Sequence, residues 1–357
     1  MTASPDAARD ALVERLFEGV LGMIDVHAVY MCDRLGVYAA LAGGGASEEE
    51  VAATTGTDRR YLRELLEQQA VSGLIEVDDA AKPAEERRYR LPDGHAEVLL
   101  DGDSPNYMTA FARMMVGIAR PLPRVLEAFR SGEGVPYTAF DADFLDGQGE
   151  MNRVQFVNSL ASEWMPGLPD VHERLTVGGR VADVGCGVGY STIALARAYP
   201  KAEVDGLDLD AASIERARAN AEREGVDVGF EARDAADPGL SGRYDLVTCF
   251  EAVHDMARPV EALRAMRGLL AEDGVVLIGD ERVADRFTAP GDEVERVMYG
   301  FSILHCLAVG REEQPSAETG TAMRTDTLRG YAADAGFTGF EVLPIENDFW
   351  RFYRLED

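Results

Sequence analysis

Lysine is nearly missing from this chain: Lys82 and Lys201 are the two lysines among 35 basic residues in a length of 357. Mechanisms that need a catalytic or Schiff-base lysine therefore have almost no candidates. Cysteine is sparse as well. Cys32, Cys186, Cys249 and Cys306 lie far apart and make no C-x-x-C pair, which argues against a zinc site or a disulfide framework and fits a reducing cytoplasm. No apolar run approaches the roughly 20 residues of a membrane helix. The opening MTASPDAARDALVERL lacks the positive start and apolar core of a signal peptide. The expectations are a cytoplasmic protein with no membrane partner and no metal. Positive charge is also short, at 35 basic against 64 acidic residues and a formal charge of −29. Such a surface repels nucleic-acid phosphates unless a local basic patch reverses the field, so no nucleic-acid partner is expected.

What is present is enough chain for two domains, at roughly 150 residues each. From Ala8 to about Ala40, the apolar residues Leu12, Leu16, Val20, Ile24 and Met31 recur at helical steps, predicting helices with a buried stripe. Ser47 and Glu50 make a capping box for a short helix, and Thr57 to Ala70 reads as a second. GLIEV and RRYRL then read as two short strands. Helix, turn, helix and a two-stranded wing describe a winged-helix module. From Ala46 to Ala80, nine acidic residues face Arg59, Arg60 and Arg63, a balance that opposes DNA reading and favours a solvated or dimer-packing face. Further helices are expected from about Leu91 to Leu175, among them Met151 to Met165.

After Gly178 and Gly179 the pattern changes. RVADVG, EVDGLDL, DVGFEARDA, YDLVTCFEAV and VVLIGDE read as five strands, with alanine-rich helices between several of them, which predicts a doubly wound α/β parallel sheet. Residues 282–327 break the rhythm as an insertion, before a helix and a final hairpin, GFEVLPI and FWRFYRL. Residues 1–165 are expected to form the N-terminal domain and 166–357 the sheet domain.

In VADVGCGVGYSTIALA a strand runs into a glycine loop and a helix, where glycines let the backbone approach a ligand closely. Tyr190 stands where a dinucleotide fingerprint needs its third glycine, so the spacing is D-x-G-x-G-x-G. This resembles the class I S-adenosylmethionine-dependent methyltransferases, and four further segments follow in the family's order. The resemblance implies a Rossmann-like seven-stranded methyltransferase sheet with a mainly helical winged-helix domain before it. It implies S-adenosylmethionine as cofactor, held by Asp183, Gly185, Cys186, Gly187 and Gly189. Asp208 would take the ribose hydroxyls, Leu209 would lie under the adenine, Asp234 and Ala235 would meet the adenine edge, and Phe250 would stand near the methionine end.

His254 and Asp255 resemble the His-Asp pair of small-molecule O-methyltransferases, which makes His254 the candidate base, with Met256 where tryptophan is common. Glu281, or Asp280 in its place, would orient it. Phe156, Trp164, Met298, Tyr299, Ser302 and His305 are candidate acceptor-lining residues, with Asn152 and Ser159 beside them. The implied activity is O-methylation of a hydroxylated metabolite by a homodimer. The alternative is a cofactor-sensing winged-helix regulator without methyl transfer.

Overall fold

The computed structural model describes residues 4–357; residues 1–3, the first of the opening segment read above, lie outside the described residues. The chain divides into two compact units between Val116 and Gly117. Residues 117–165, expected with the N-terminal domain, therefore pack as part of the sheet unit. Their apolar side chains belong to its core: Phe156, Leu160 and Trp164 share a cluster with Val181, Leu246 and Leu277.

In the first unit a 30-residue helix, Pro5–Arg34, starts where the Ser4 hydroxyl accepts from the Ala7 amide, with proline in its first turn. Its apolar stripe is not buried within the unit. Leu12, Leu16, Phe17 and Met23 are 54–62% exposed, and Ala28 and Cys32 alone on this helix are buried. The capping box forms as expected: Ser47 Oγ accepts from the Glu50 amide and Glu50 returns to the Ser47 amide. Helices Glu48–Thr55 and Arg59–Val71 follow, the second capped by Asp58. Three short strands, β1 (Ala46–Ser47), β2 (Glu76–Val77) and β3 (Arg88–Arg90), pair antiparallel in the order β1-β3-β2.

In the second unit the five expected strands are β4 (Arg180–Val184), β5 (Glu203–Asp208), β6 (Gly229–Ala232), β7 (Tyr244–Phe250) and β8 (Leu270–Glu281). The hairpin supplies β9 (Gly339–Val342) and β10 (Trp350–Glu356). The order is β6-β5-β4-β7-β8-β10-β9. Pairing is parallel except for β10, which runs antiparallel to both β8 and β9.

Period-2 alternation loads both faces, because successive side chains point to opposite sides. On β8, Val276 and Ile278 join Leu263, Met266 and Leu328 on one face. Val275 and Leu277 join Leu175, Leu195 and Trp164 on the other. Both faces being covered explains why the central strands read as continuous apolar runs. Strand order reverses between β4 and β7, and in such a sheet the crevice beyond the carboxyl ends at that point is where ligands bind.

Candidate active site

A cavity of about 460 Å³ opens at that reversal, lined from the ends of β4, β5, β6 and β7 and from residues 137–156 and 309–313. The loop after β4 is shaped by glycines in the left-handed region. Gly185 and Gly189 have φ of 72° and 86°. A Cβ at Gly189 would lie 2.8 Å from Ala217 Cβ and Phe230 Cζ, whereas Gly187 faces open space. The loop can thus bring backbone to a ligand while its back packs tightly.

Asp183 anchors this loop from behind. It is 1% exposed. Its oxygens accept hydroxyl hydrogen bonds from Ser191 (2.5 Å), Thr192 (2.7 Å) and Thr248 (2.7 Å). Burial pushes its carboxyl above the usual range against the pull of those three donors. It does not line the cavity.

Asp208 does line it. It accepts from the Gly187 and Asp210 amides, both at 2.8 Å, and burial raises its pKa. Leu209 lines the same wall and is 67% exposed. Asp234 accepts from the Ala236 amide at 2.8 Å and from Arg258 at 2.7 Å. Gly185, Cys186, Gly187, Ala235, Phe250 and Phe156 also reach the cavity.

At the other end stands Glu251, with φ of 49° where a side chain is uncommon. Asn152 donates to one of its oxygens, and Trp350 Nε1 donates to the other at 2.6 Å. Glu281 hydrogen-bonds Glu251, and burial together with that neighbour's charge pushes Glu281 well above the usual carboxyl range.

Asp280, not Glu281, orients His254, through Nδ1 at 2.8 Å. His254 Nε2 lies 3.3 Å from Asp255 Oδ1. Burial would depress this imidazole, but the Asp280 and Asp255 carboxylates outweigh it and hold it well above its usual value. His254 is 2% exposed and stands behind the cavity wall, while Asp255 is on the wall.

Other sequence candidates lie elsewhere. Trp164 is fully buried against Phe352, Trp350 and Phe250. Met298 and Ser302 are buried away from the cavity, and the Tyr299 hydroxyl accepts from Arg324 at 3.2 Å. His305 packs against Phe140 and Phe144, behind the wall. Sequence reasoning missed Tyr137, Asp210, Ser213 and Arg258, all on the wall. Asp210 had a signal, since it caps the helix Ala211–Glu224 by accepting from the Ser213 amide. Tyr137 opens the single 3-10 turn Tyr137–Ala139, too short to leave a periodic signal.

A glycine loop after the first strand of the sheet, acids at the ends of the next two and an antiparallel β10 define the class I methyltransferase fold. A family model described as a methyltransferase domain matches residues 175–319. A ubiquinone biosynthesis O-methyltransferase from Acinetobacter baylyi is 31% identical over 218 residues, covering 60% of this chain and 87% of that protein. The chain belongs to the S-adenosylmethionine-dependent methyltransferases.

A protein of the same name from Bordetella avium is 32% identical over 142 residues, 39% of this chain. The chain spans 56% and 58% of the length of the first curated relatives it matches. Human N-acetylserotonin methyltransferase, solved with S-adenosylmethionine, superposes with a TM-score of 0.70 over 100% of this chain and 99% of that one. At 17% identity, that likeness is one of fold.

The wall fits the family's cofactor. Seven carboxylates line it against two arginines, Arg233 and Arg258, a balance suited to a ligand bearing an ammonium and a sulfonium. Asp208 offers acceptors for vicinal hydroxyls, and Leu209 an apolar surface for a base.

Proposed function

We propose that this chain transfers a methyl group from S-adenosylmethionine to a hydroxyl oxygen of a small-molecule acceptor. The observation that carries this reading is one continuous cavity joining the Asp208 and Leu209 wall to a pocket of Phe156, Asn152, Gln148 and Val309. S-adenosylmethionine supplies an electrophilic methyl on a sulfonium when bound. The chain's part is to align the acceptor oxygen in line with that methyl and to receive its proton, and orientation alone can contribute several kcal/mol.

Asp255 is the carboxylate on the wall, and His254, fixed by Asp280, backs it. In our reading the acceptor proton passes to this pair, with His254 acting through Asp255. Transfer of labelled methyl from S-adenosylmethionine to a panel of hydroxylated aromatic and lipid-like acceptors is expected. His254→Ala is expected to slow it roughly 100-fold with cofactor still bound. Unchanged turnover in that variant would remove the base assignment.

The N-terminal unit reads as a winged-helix module that pairs two copies of the chain. The exposed apolar stripe of Pro5–Arg34 supports this, since a face of that size on a monomer marks an interaction surface. A sedimentation mass of twice the chain is expected at micromolar concentration; the single-chain mass would refute it. The regulator reading is opposed by the arginines of Arg59–Val71: Arg59 and Arg63 bind Glu48, and Arg60 binds Glu64.

Among the described residues, no helix is long and apolar enough to cross a membrane.

A further inference from the structure

The acceptor pocket carries a charge for which the chain provides no cation. Glu251 lies on the cavity wall just past β7. Its Oε2 accepts from Asn152, itself a residue of that pocket, and its Oε1 accepts from Trp350 Nε1 at 2.6 Å. Its φ of 49° is a conformation that costs a side-chain-bearing residue energy and that clusters at ligand sites.

Glu281 stands behind it at the end of β8, 5% exposed. Burial and the charge of Glu251 push Glu281 well above the usual carboxyl range, so Glu281 keeps its proton and donates to Glu251. Glu281 Oε2 is buried with no hydrogen-bond partner, so the chain alone does not satisfy this acid. The pair bears a single negative charge, and Glu251 presents it to the cavity.

Among the described residues, no lysine or arginine pairs with either acid. Arg233 and Arg258, on the cavity wall, are bound to Asp237 and Asp234. The positive group acting on both acids is His254, which already has Asp280 and Asp255 as partners. Beside the carboxylate, the rings of Phe156 and Phe250 stand with centroids 5.4 Å apart, and Trp350 stacks on Phe250 at an interplanar angle of 17°. A buried carboxylate next to aromatic faces suits an organic cation, which gains from the charge and from the ring quadrupoles together.

We propose that Glu251 binds a protonated amine of the acceptor, so that the substrate is a hydroxylated amine. This rests on the methyl-transfer reading and adds the substrate class to it. Asp255, on the same wall at the end of the turn Val253–Asp255, is the second fixed point. An ammonium at Glu251 and a hydroxyl at Asp255 hold the acceptor in two places, which is what alignment with the methyl requires. A protonated nitrogen has no lone pair with which to attack, so Glu251 also leaves the hydroxyl oxygen as the nucleophile.

The cofactor's own ammonium suits this place less well. It shares a carbon with a carboxylate, which Glu251 repels, and no arginine at this end offsets the repulsion. Asp208, the ribose acid, ends β5, which β4 separates from β7. An acceptor amine brings positive charge alone.

The test is calorimetric binding of matched amines and neutral analogues to the full chain in the presence of S-adenosylhomocysteine: tyramine against para-propylphenol, and glucosamine against glucose. In wild type, at least one amine should bind roughly 10- to 100-fold more tightly than its analogue, the worth of one charge-assisted hydrogen bond. Glu251→Gln should abolish that preference and leave affinity for S-adenosylmethionine within about twofold of wild type. Glu281→Gln, which exchanges one neutral donor for another, should keep the preference. Circular dichroism checks that each variant is folded. Wild type that binds neither amine more tightly than its analogue overturns the proposal without recourse to any variant. A preference that survives in folded Glu251→Gln also overturns it, as does a loss of cofactor affinity there as large as the loss of amine affinity, which assigns Glu251 to the cofactor. Methyl transfer to the neutral phenol with no preference for amines sinks this proposal alone; a preference for amines with no methyl transfer sinks the methyl-transfer reading alone.

Discussion

Two buried acids in the two units are satisfied in opposite ways. In the first unit, Glu48 is 2% exposed and bonded by Arg63 Nε at 2.6 Å and Arg59 Nε at 3.1 Å. Burial pushes its carboxyl up, but the two guanidiniums outweigh burial and hold it below the usual range. In the second unit, Asp183 is 1% exposed and receives three hydroxyls and no cation, so burial prevails and its pKa rises. Asp208, Glu251 and Glu281 around the cavity are likewise pushed up, each chiefly by burial. The first unit supplies its own countercharge and uses the acid to join two helices. The cavity acids are left with too few cations from the chain, and a cationic ligand is the natural complement.

The sharpest break to that contrast is in the glycine loop. Gly189→Ala places a Cβ at φ of 86° and 2.8 Å from Ala217 Cβ and Phe230. The expected cost is about 2–4 kcal/mol of stability, read in chemical denaturation, with cofactor affinity reduced as well. A neutral result would mean that the loop relaxes freely and that tight packing behind it does not hold its shape.

Glu48→Gln probes the other side of the comparison with a smaller effect. A cost of about 1–2 kcal/mol at neutral pH is expected, because both arginines are partly exposed and solvent screens them. The folded-state pKa is depressed, so the stabilisation is present above the unfolded glutamate pKa and is lost as pH falls through the folded value. The gap between wild type and variant should therefore be flat from pH 7 to about 5 and close below the ordinary glutamate range. Cofactor affinity should not change. A gap that widens on acidification would contradict the Glu48 assignment.

Much of the sheet unit was legible in the sequence. Five strands ended where β-branched runs met acids or glycines, and Asp208, Leu209, Asp234 and Ala235 reach the cavity because strand ends converge at the order reversal. The exposed stripe of Pro5–Arg34 was not legible: helical periodicity shows that a face is apolar and leaves open what covers it. Asp183 and His254 were picked for the site and are found behind its wall, because a motif gives residue type and order along the chain but not depth. Met298 and Ser302 were chosen by helical spacing, and Trp164 by the place of its helix in the family resemblance; neither distinguishes a pocket face from a core face. Tyr137, in a single 3-10 turn, and Arg258, in the loop before the helix Pro259–Leu269, lie where position depends on tertiary packing.

The central claim is that the strand-end acids recognise S-adenosylmethionine. Calorimetric titration of wild type, Asp208→Ala and Glu48→Gln with that cofactor tests it most directly. The account predicts micromolar binding to wild type and Glu48→Gln, and at least a roughly 100-fold loss in Asp208→Ala, the cost of about two charge-assisted hydrogen bonds. Equal affinity in wild type and a folded Asp208→Ala, or no binding by wild type at all, would contradict it.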